Sequence, residues 1–231
     1  MSIAAVLMAA GSASRMGFKP KCLLHLDGIP LIVRTIHALK GVGVQELIVV
    51  LGHYHESILP FIDPLQAHCV INPHPDEGPI SSQRLGLQSL KHSHDAIIMA
   101  LADQPLIEAQ DIELLMSQFR ALAPSTEMLF PLLSSGPGNP VIISNTVRED
   151  ILGKDSSYGC RKWRAEHAHQ VQGLLSDNTH FACDLDTPED IQAFEQSSGL
   201  TLTWGPKPIK GLGAQLTHTP STCADTPSSK S

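Results

Sequence analysis

Short apolar runs alternate with helix-patterned segments through the first half of this chain, and that order leaves few architectures open. The runs at residues 3–9, 46–52, 67–73 and 95–103 read as buried strands. Between and after them, residues 30–43, 80–90 and 108–123 carry apolar positions at helical spacing, and 55–62 reads as a short helix interrupted by Pro60. Strand, helix, strand in strict succession implies right-handed crossovers and a parallel sheet covered by helices on both faces. The expected fold class is α/β, with three layers and a mostly parallel sheet. Farther on, 127–133, 140–144, 169–174 and 180–186 read as strands, and 145–152, 158–167 and 187–197 as helices. Residues 1–200 are expected to form one domain. Residues 205–231 are Ser, Thr and Pro-rich without apolar period, and are expected to be a disordered tail.

Aromatic residues make up 4% of the chain, so the core must be built of Leu, Ile, Val and Ala. The net charge of −7 argues against a general nucleic-acid binder, which needs a broad basic face to displace counterions. Any anion must be held by a local site. Five cysteines at 22, 69, 160, 183 and 223 form no CxxC pair and do not read as a zinc cluster or disulfide frame; Cys69 and Cys183 read as core residues. The first apolar run is too short for a membrane helix, and the chain is expected to be cytoplasmic, with no membrane partner.

Such a local anion site follows the first strand, in "AAGSASRMGFKPK" (9–21). Parallel sheets bind ligands at the carboxyl ends of their strands. Ala9, Ala10 and Gly11 leave backbone N–H groups uncovered, Ser12 and Ser14 add hydroxyl donors, and Arg15 and Lys21 supply positive charge for phosphate oxygens. The spacing is not a Walker A loop, because Gly11 and Gly17 stand one residue too far apart and Phe18 follows. Nor is it a dinucleotide fingerprint, because Ala13 and Met16 stand where glycines are required.

The string AAGSASRMGFKPK resembles the signature loop of the nucleotidyltransferases with a GT-A-like, Rossmann-related fold. The resemblance spans about residues 3–197. "KCLLHLDGIPLI" after it keeps the family register, which singles out Lys21 as the phosphate lysine and leaves Lys19 secondary. The same resemblance implies a metal aspartate at the end of the fourth strand, supplied by Asp103 in "ALADQPLI", and a second at Asp186 in "DLDTPEDIQAFE". Mg²⁺ or Mn²⁺ is the implied cofactor, with Thr187 a helix-cap candidate. "EGPISSQRLGL" resembles a family loop that puts Gly78, Ser81 and Ser82 near the base and ribose, with Pro79 and Gln83 departing from the pattern. "GPGNP" resembles the turn facing the acceptor, which assigns Gly138, Asn139 and Pro140.

With "ADQP", these strings resemble the molybdenum cofactor cytidylyltransferase group within the MobA-like NTP transferases. The resemblance implies transfer of CMP from CTP to the phosphate of molybdopterin, with Arg15, Lys21 and Asp103 as catalytic residues. A molybdenum enzyme or its maturation chaperone is an implied partner. The alternatives are another NTP or acceptor, such as a guanylyltransferase or a sugar-phosphate nucleotidyltransferase, and a carrier of the cofactor that does not turn over. The pairs His53/His55, His92/His94 and His167/His169 are read as structural, since none stands within a Cys/His set. Gly86, inside a helix pattern, either permits close packing or is incidental.

Overall fold

The computed structural model describes residues 1–65 and 67–205, so the expected tail, Gly205 apart, lies outside the described residues. The opening apolar run becomes β1 (Ile3–Ala9). In chain order there follow β2 (Leu24–Leu26), β3 (Ile29–Pro30), α1 (Leu31–Gly41), β4 (Glu46–Leu51), α2 (His55–Ile62) and β5 (His68–Ile71). Next come α3 (Pro79–Ser89), β6 (Ala96–Leu101), α4 (Ala109–Ala121), β7 (Met128–Leu133), β8 (Gly136–Pro137) and β9 (Val141–Ile143). The chain continues through α5 (Asn145–Gly153), α6 (Cys160–Glu166), β10 (Val171–Leu175), α7 (Pro188–Ser198) and β11 (Leu202–Trp204). Pro60 does not interrupt α2, which runs through it.

The main sheet has the order β10-β7-β9-β6-β1-β4-β5, with β8 on β7. β6, β1, β4 and β5 are parallel, as are β10 and β7, while β9 lies antiparallel between β6 and β7. β1 is central: Ala5 stands between Leu47 and Ile98. Successive side chains point to opposite faces. Ala5 and Leu7 meet Ile36 and Leu39 of α1, Ile58 of α2 and Leu115 of α4 in one buried cluster. Ala4 and Val6 meet Leu87 of α3, Ile151 of α5 and Trp163 of α6 in the other. Both faces of the sheet are therefore covered, which gives the three-layer Rossmann-like α/β fold its two cores. Fully burying each Leu or Ile contributes roughly 1.5–3 kcal/mol. Among the described residues, the buried thiols are Cys22 and Cys160; Cys69, at the edge of the first of these clusters, and Cys183 are only half-buried.

A second sheet, β11-β2-β3, goes beyond the strands that the apolar pattern predicts, although its turn is written in the chain. Asp27 and Gly28 have φ of 53° and 77°, as a two-residue hairpin turn of the primed type requires. This sheet encloses a third core of Met16, Leu24, Leu26, Leu31, Leu185, Phe194 and Leu202.

The strand expected at 180–186 does not form. Apolar residues at alternate positions suggest it, but they serve different cores. Phe181 enters the main core and Leu185 the third, so the chain must bend between them. Asn178 accepts from the His180 N–H and opens a 3₁₀ turn at Thr179–Ala182. The buried Asp111 of α4 clamps that turn, accepting from Asn178 Nδ2 at 2.7 Å and lying 2.9 Å from His180 Nδ1.

Candidate functional site

The carboxyl ends of β1, β4 and β6 and the start of α3 open on one cleft of about 440 Å³. Its floor is the loop after β1. Ala13 turns left-handed at φ 49°, and its carbonyl accepts from the N–H groups of Met16 (2.9 Å) and Phe18 (3.0 Å). Met16 is buried in the third core, which holds the loop from below. Tyr54 Oη donates to the Ser12 carbonyl at 2.8 Å and holds it from the side. A Cβ on Gly52 would lie 2.6 Å from the Ala10 carbonyl oxygen, so only glycine there lets the end of β4 approach the loop this closely. Ala9, Ala10, Gly11, Ser12, Ser14, Arg15 and Lys21 all line the cleft.

Across from the loop stand two carboxylates. Asp103 follows β6, whose extension is fixed by the Ala102 N–H bonding the Met8 carbonyl. Asp186 stands just before α7. The helix has a capping box, in which Thr187 Oγ1 accepts from the Asp190 N–H and Asp190 accepts from the Thr187 N–H. Asp190 also accepts from the Asp186 N–H at 3.0 Å, fixing that backbone. Lys21 Nζ lies 2.5 Å from Asp103 Oδ2 and 2.5 Å from Asp186 Oδ1. Arg15 reaches Asp186 Oδ2 at 3.0 Å.

The electrostatics follow from that geometry. Burial alone would lower the pKa of Lys21, but Asp103 and Asp186 outweigh it and the value is raised. Asp186 is lowered, chiefly by its hydrogen bond from Lys21. A third carboxylate, Asp184, is pushed up to about 6 by desolvation and by Asp103 and Asp186, although the residue keeps exposed surface. Asp103 Oδ1 is buried and has no hydrogen-bond partner among the described residues. Among the described residues no cluster of three or more His, Cys, Asp or Glu is placed to hold a metal. Two carboxylates with one free buried oxygen nevertheless suit a hard divalent cation that takes its other ligands from water and phosphate.

The loop before α3 contributes less than the resemblance implies. Gly78 and Ser82 line the cleft and Ser81 does not. Asn72 Nδ2 donates to both serine hydroxyls, at 3.0 Å and 2.8 Å, so they also brace the end of β5. Gly138, Asn139 and Pro140 lie outside the lining. Their turn, with a cis Asn139–Pro140 bond, packs on Phe181, whose carbonyl accepts from the Asn139 N–H (2.8 Å) and from Gln104 Nε2 (3.3 Å). Lys19 also lies outside the lining, with its ammonium 5.4 Å from the Trp204 ring centroid. His53, read from the sequence as one of a structural pair, lines the cleft with Tyr54 and Asp76, which the motif reading does not single out, though "GHYH" directly follows a strand end, the position that marks ligand loops. Of the paired histidines, His53 faces Asp76 at 3.4 Å and His94 bonds Glu46 at 2.8 Å.

A glycine-containing loop on β1 facing one aspartate beyond β6 and another before α7, on this fold, is the arrangement of a nucleotidyltransferase-type domain. The family comparison agrees: residues 5–171 match the MobA-like NTP transferase domain, and the chain belongs to that family. It is 32% identical over 218 residues to the bifunctional protein GlmU of Mycobacterium ulcerans, covering 87% of this chain and 44% of that one. The chain thus spans less than half the length of that relative. Over 81 residues, 32% of the chain and 13% of the relative, it is 37% identical to CMP-5'-(3-aminopropyl)phosphonate synthase of Streptomyces rubellomurinus. Among solved structures it resembles Rv0371c of Mycobacterium tuberculosis, with a TM-score of 0.71 at 23% identity over 85% of this chain and 98% of that one. Among the described residues no helix is long and apolar enough to cross a membrane.

Proposed function

We propose that the chain transfers a nucleotidyl group, CMP from CTP, to the phosphate of a molybdopterin-type acceptor and releases pyrophosphate. The observation that carries the transfer reaction is the joining of loop, Arg15, Lys21, Asp103 and Asp186 in one cleft. An ionised acceptor phosphate is already a nucleophile, so no general base is needed. Its oxygen forms a bond to the α-phosphorus while the α–β anhydride bond breaks. The protein's work is positioning and charge neutralisation. Backbone N–H groups at 10–12, Arg15 and Lys21 would hold the β- and γ-phosphates. Asp103 and Asp186 would hold a divalent cation, Mg²⁺ or Mn²⁺, which when bound supplies Lewis-acid neutralisation of phosphate charge. A related fold, Rv0371c, is described as a complex with manganese. CTP is favoured because another structural relative, CMP:2-keto-3-deoxy-manno-octonic acid synthetase, is described as complexed with CTP.

Support for the acceptor comes from the resemblance of "ADQP" and "GPGNP". The turn at 138–140 is joined through the Phe181 carbonyl to Gln104, the neighbour of Asp103. A second reading, a small phosphonate or phosphate acceptor, is favoured by the similarity to the phosphonate synthase. Pyrophosphate release with CTP, GTP, ATP and UTP, each with molybdopterin or with a small phosphonate, separates the two. Asp103→Ala should keep the fold and lower transfer by about 10²-fold or more. Wild-type rates in that variant would refute the transfer mechanism.

A further inference from the structure

Lys21 stands where the reaction needs two different things. Its ammonium is 2.5 Å from a carboxylate oxygen of Asp103 and 2.5 Å from one of Asp186, so those oxygens lie at most about 5 Å apart with Nζ between them. A Mg²⁺ ion held by these same two oxygens would need each at about 2.0–2.1 Å. It would occupy the volume that Nζ now fills, and two cations cannot share it. Lys21 and Asp103 are largely desolvated, with side chains 19% and 16% exposed, so their attraction is weakly screened. The Arg15 side chain is 66% exposed and, of the two aspartates, pairs with Asp186. It neutralises one carboxylate from the rim without blocking the space between the two.

We infer that Lys21 is a placeholder cation, bridging Asp103 and Asp186 until a nucleoside triphosphate draws its ammonium onto phosphate and frees both carboxylates for the metal. This rests on the reading of the cleft as a nucleotide and metal site. Its consequence is thermodynamic coupling: metal alone binds weakly, nucleotide and metal favour each other's entry, and the effect is reciprocal. The long, flexible stem of lysine suits such an exchange, whereas the rigid guanidinium of arginine does not. Lys21 also leads the 3₁₀ turn Lys21–Leu23, anchored by the buried Cys22 and followed by the buried Leu24, so the side chain can swing while its backbone stays fixed.

The test is Mn²⁺ binding to nucleotide-free protein, read from the EPR signal of free Mn²⁺, in wild type, Lys21→Met, Lys21→Gln, Arg15→Met and Lys19→Met. Removing the placeholder should raise affinity for Mn²⁺ alone by about tenfold or more. Lys19→Met should change little and Arg15→Met less than Lys21→Met. Equal gains in the Arg15 and Lys21 variants would reduce the effect to net charge and overturn the inference. So would an unchanged or weaker affinity in folded Lys21→Met and Lys21→Gln, with folding checked by circular dichroism. Should neither variant fold, wild-type crystals soaked with Mn²⁺, with and without CTP, decide. An anomalous peak between the aspartates only with CTP, and with Nζ moved away, supports it. A peak there with Lys21 still bridging overturns it. If no nucleoside triphosphate binds the wild type with Mn²⁺, the functional reading itself falls.

Discussion

Gly86 lies in the middle of α3 and turns a bare Cα onto the sheet. A Cβ added there would sit 2.3 Å from Val6 Cγ1 and 2.9 Å from Val50 Cγ2. Both valines are fully buried in adjacent strands, and their β-branched side chains are stiff at χ1 in a close-packed core. Ordinary contact begins near 3.4 Å, so α3 would have to retreat by about 1 Å. Overpacking of this kind costs about 3 kcal/mol at the upper end, and the better helix propensity of alanine returns about 1 kcal/mol. Gly86→Ala should thus destabilise by about 2 kcal/mol, a fall in Tm of roughly 4–8 °C for a domain of this size. Thermal and urea melts followed by circular dichroism measure it. Gly153, at the end of α5, is the control: a Cβ added there would meet nothing within 4 Å, and Gly153→Ala should be neutral or stabilise by up to about 1 kcal/mol. If Gly86→Ala matched Gly153→Ala in sign, the close packing of α3 on β1 and β4 would not be what requires glycine. The retreat has a functional readout too, because Gly78, Pro79 and Ser82 at the start of α3 line the cleft.

Two further outcomes concern the cleft. Tyr54→Phe removes the donor that ties the Ser12 carbonyl. It should weaken CTP binding by about 3- to 10-fold, the range of a single neutral hydrogen bond, with Tm nearly unchanged; isothermal titration measures it. Asp184 is raised from 3.8 to about 6, so the folded form binds the extra proton and the strain of its charge is fully present above about pH 6. Metal-free stability should therefore rise as pH falls from about 6 toward 4. It should then drop below about 4 as the lowered Asp186 loses its charge and its bond from Lys21. Asp184→Asn should flatten the upper limb and leave the lower one, and because Asp184 keeps exposed surface the amplitude is small. Melts at several pH values that show the upper limb intact in Asp184→Asn would contradict this assignment.

The parts of the molecule that can be read from the chain are those whose physics is local. A central parallel strand must be apolar on both faces, and β1, β4 and β6 announce themselves by that alone. The candidate anion loop stands out for a similar reason: small residues that leave backbone donors uncovered lie within a few positions of two cations. Where one segment serves two distant partners, the pattern misleads. Phe181 and Leu185 alternate like a strand, yet they belong to separate cores, and the segment bends to satisfy both. The β2–β3 hairpin is legible in Asp27–Gly28 but carries too few flanking residues to stand out as strands. The pairing that gives the site its character is not legible from periodicity. Lys21 and Asp186 are 165 positions apart, and only a family resemblance brings them into one site. Even then it assigns the lysine to phosphate and the aspartates to metal, not to each other. That contact follows from burial: a cleft that removes Asp103 from water must supply a cation, and Lys21 is the flexible one within reach.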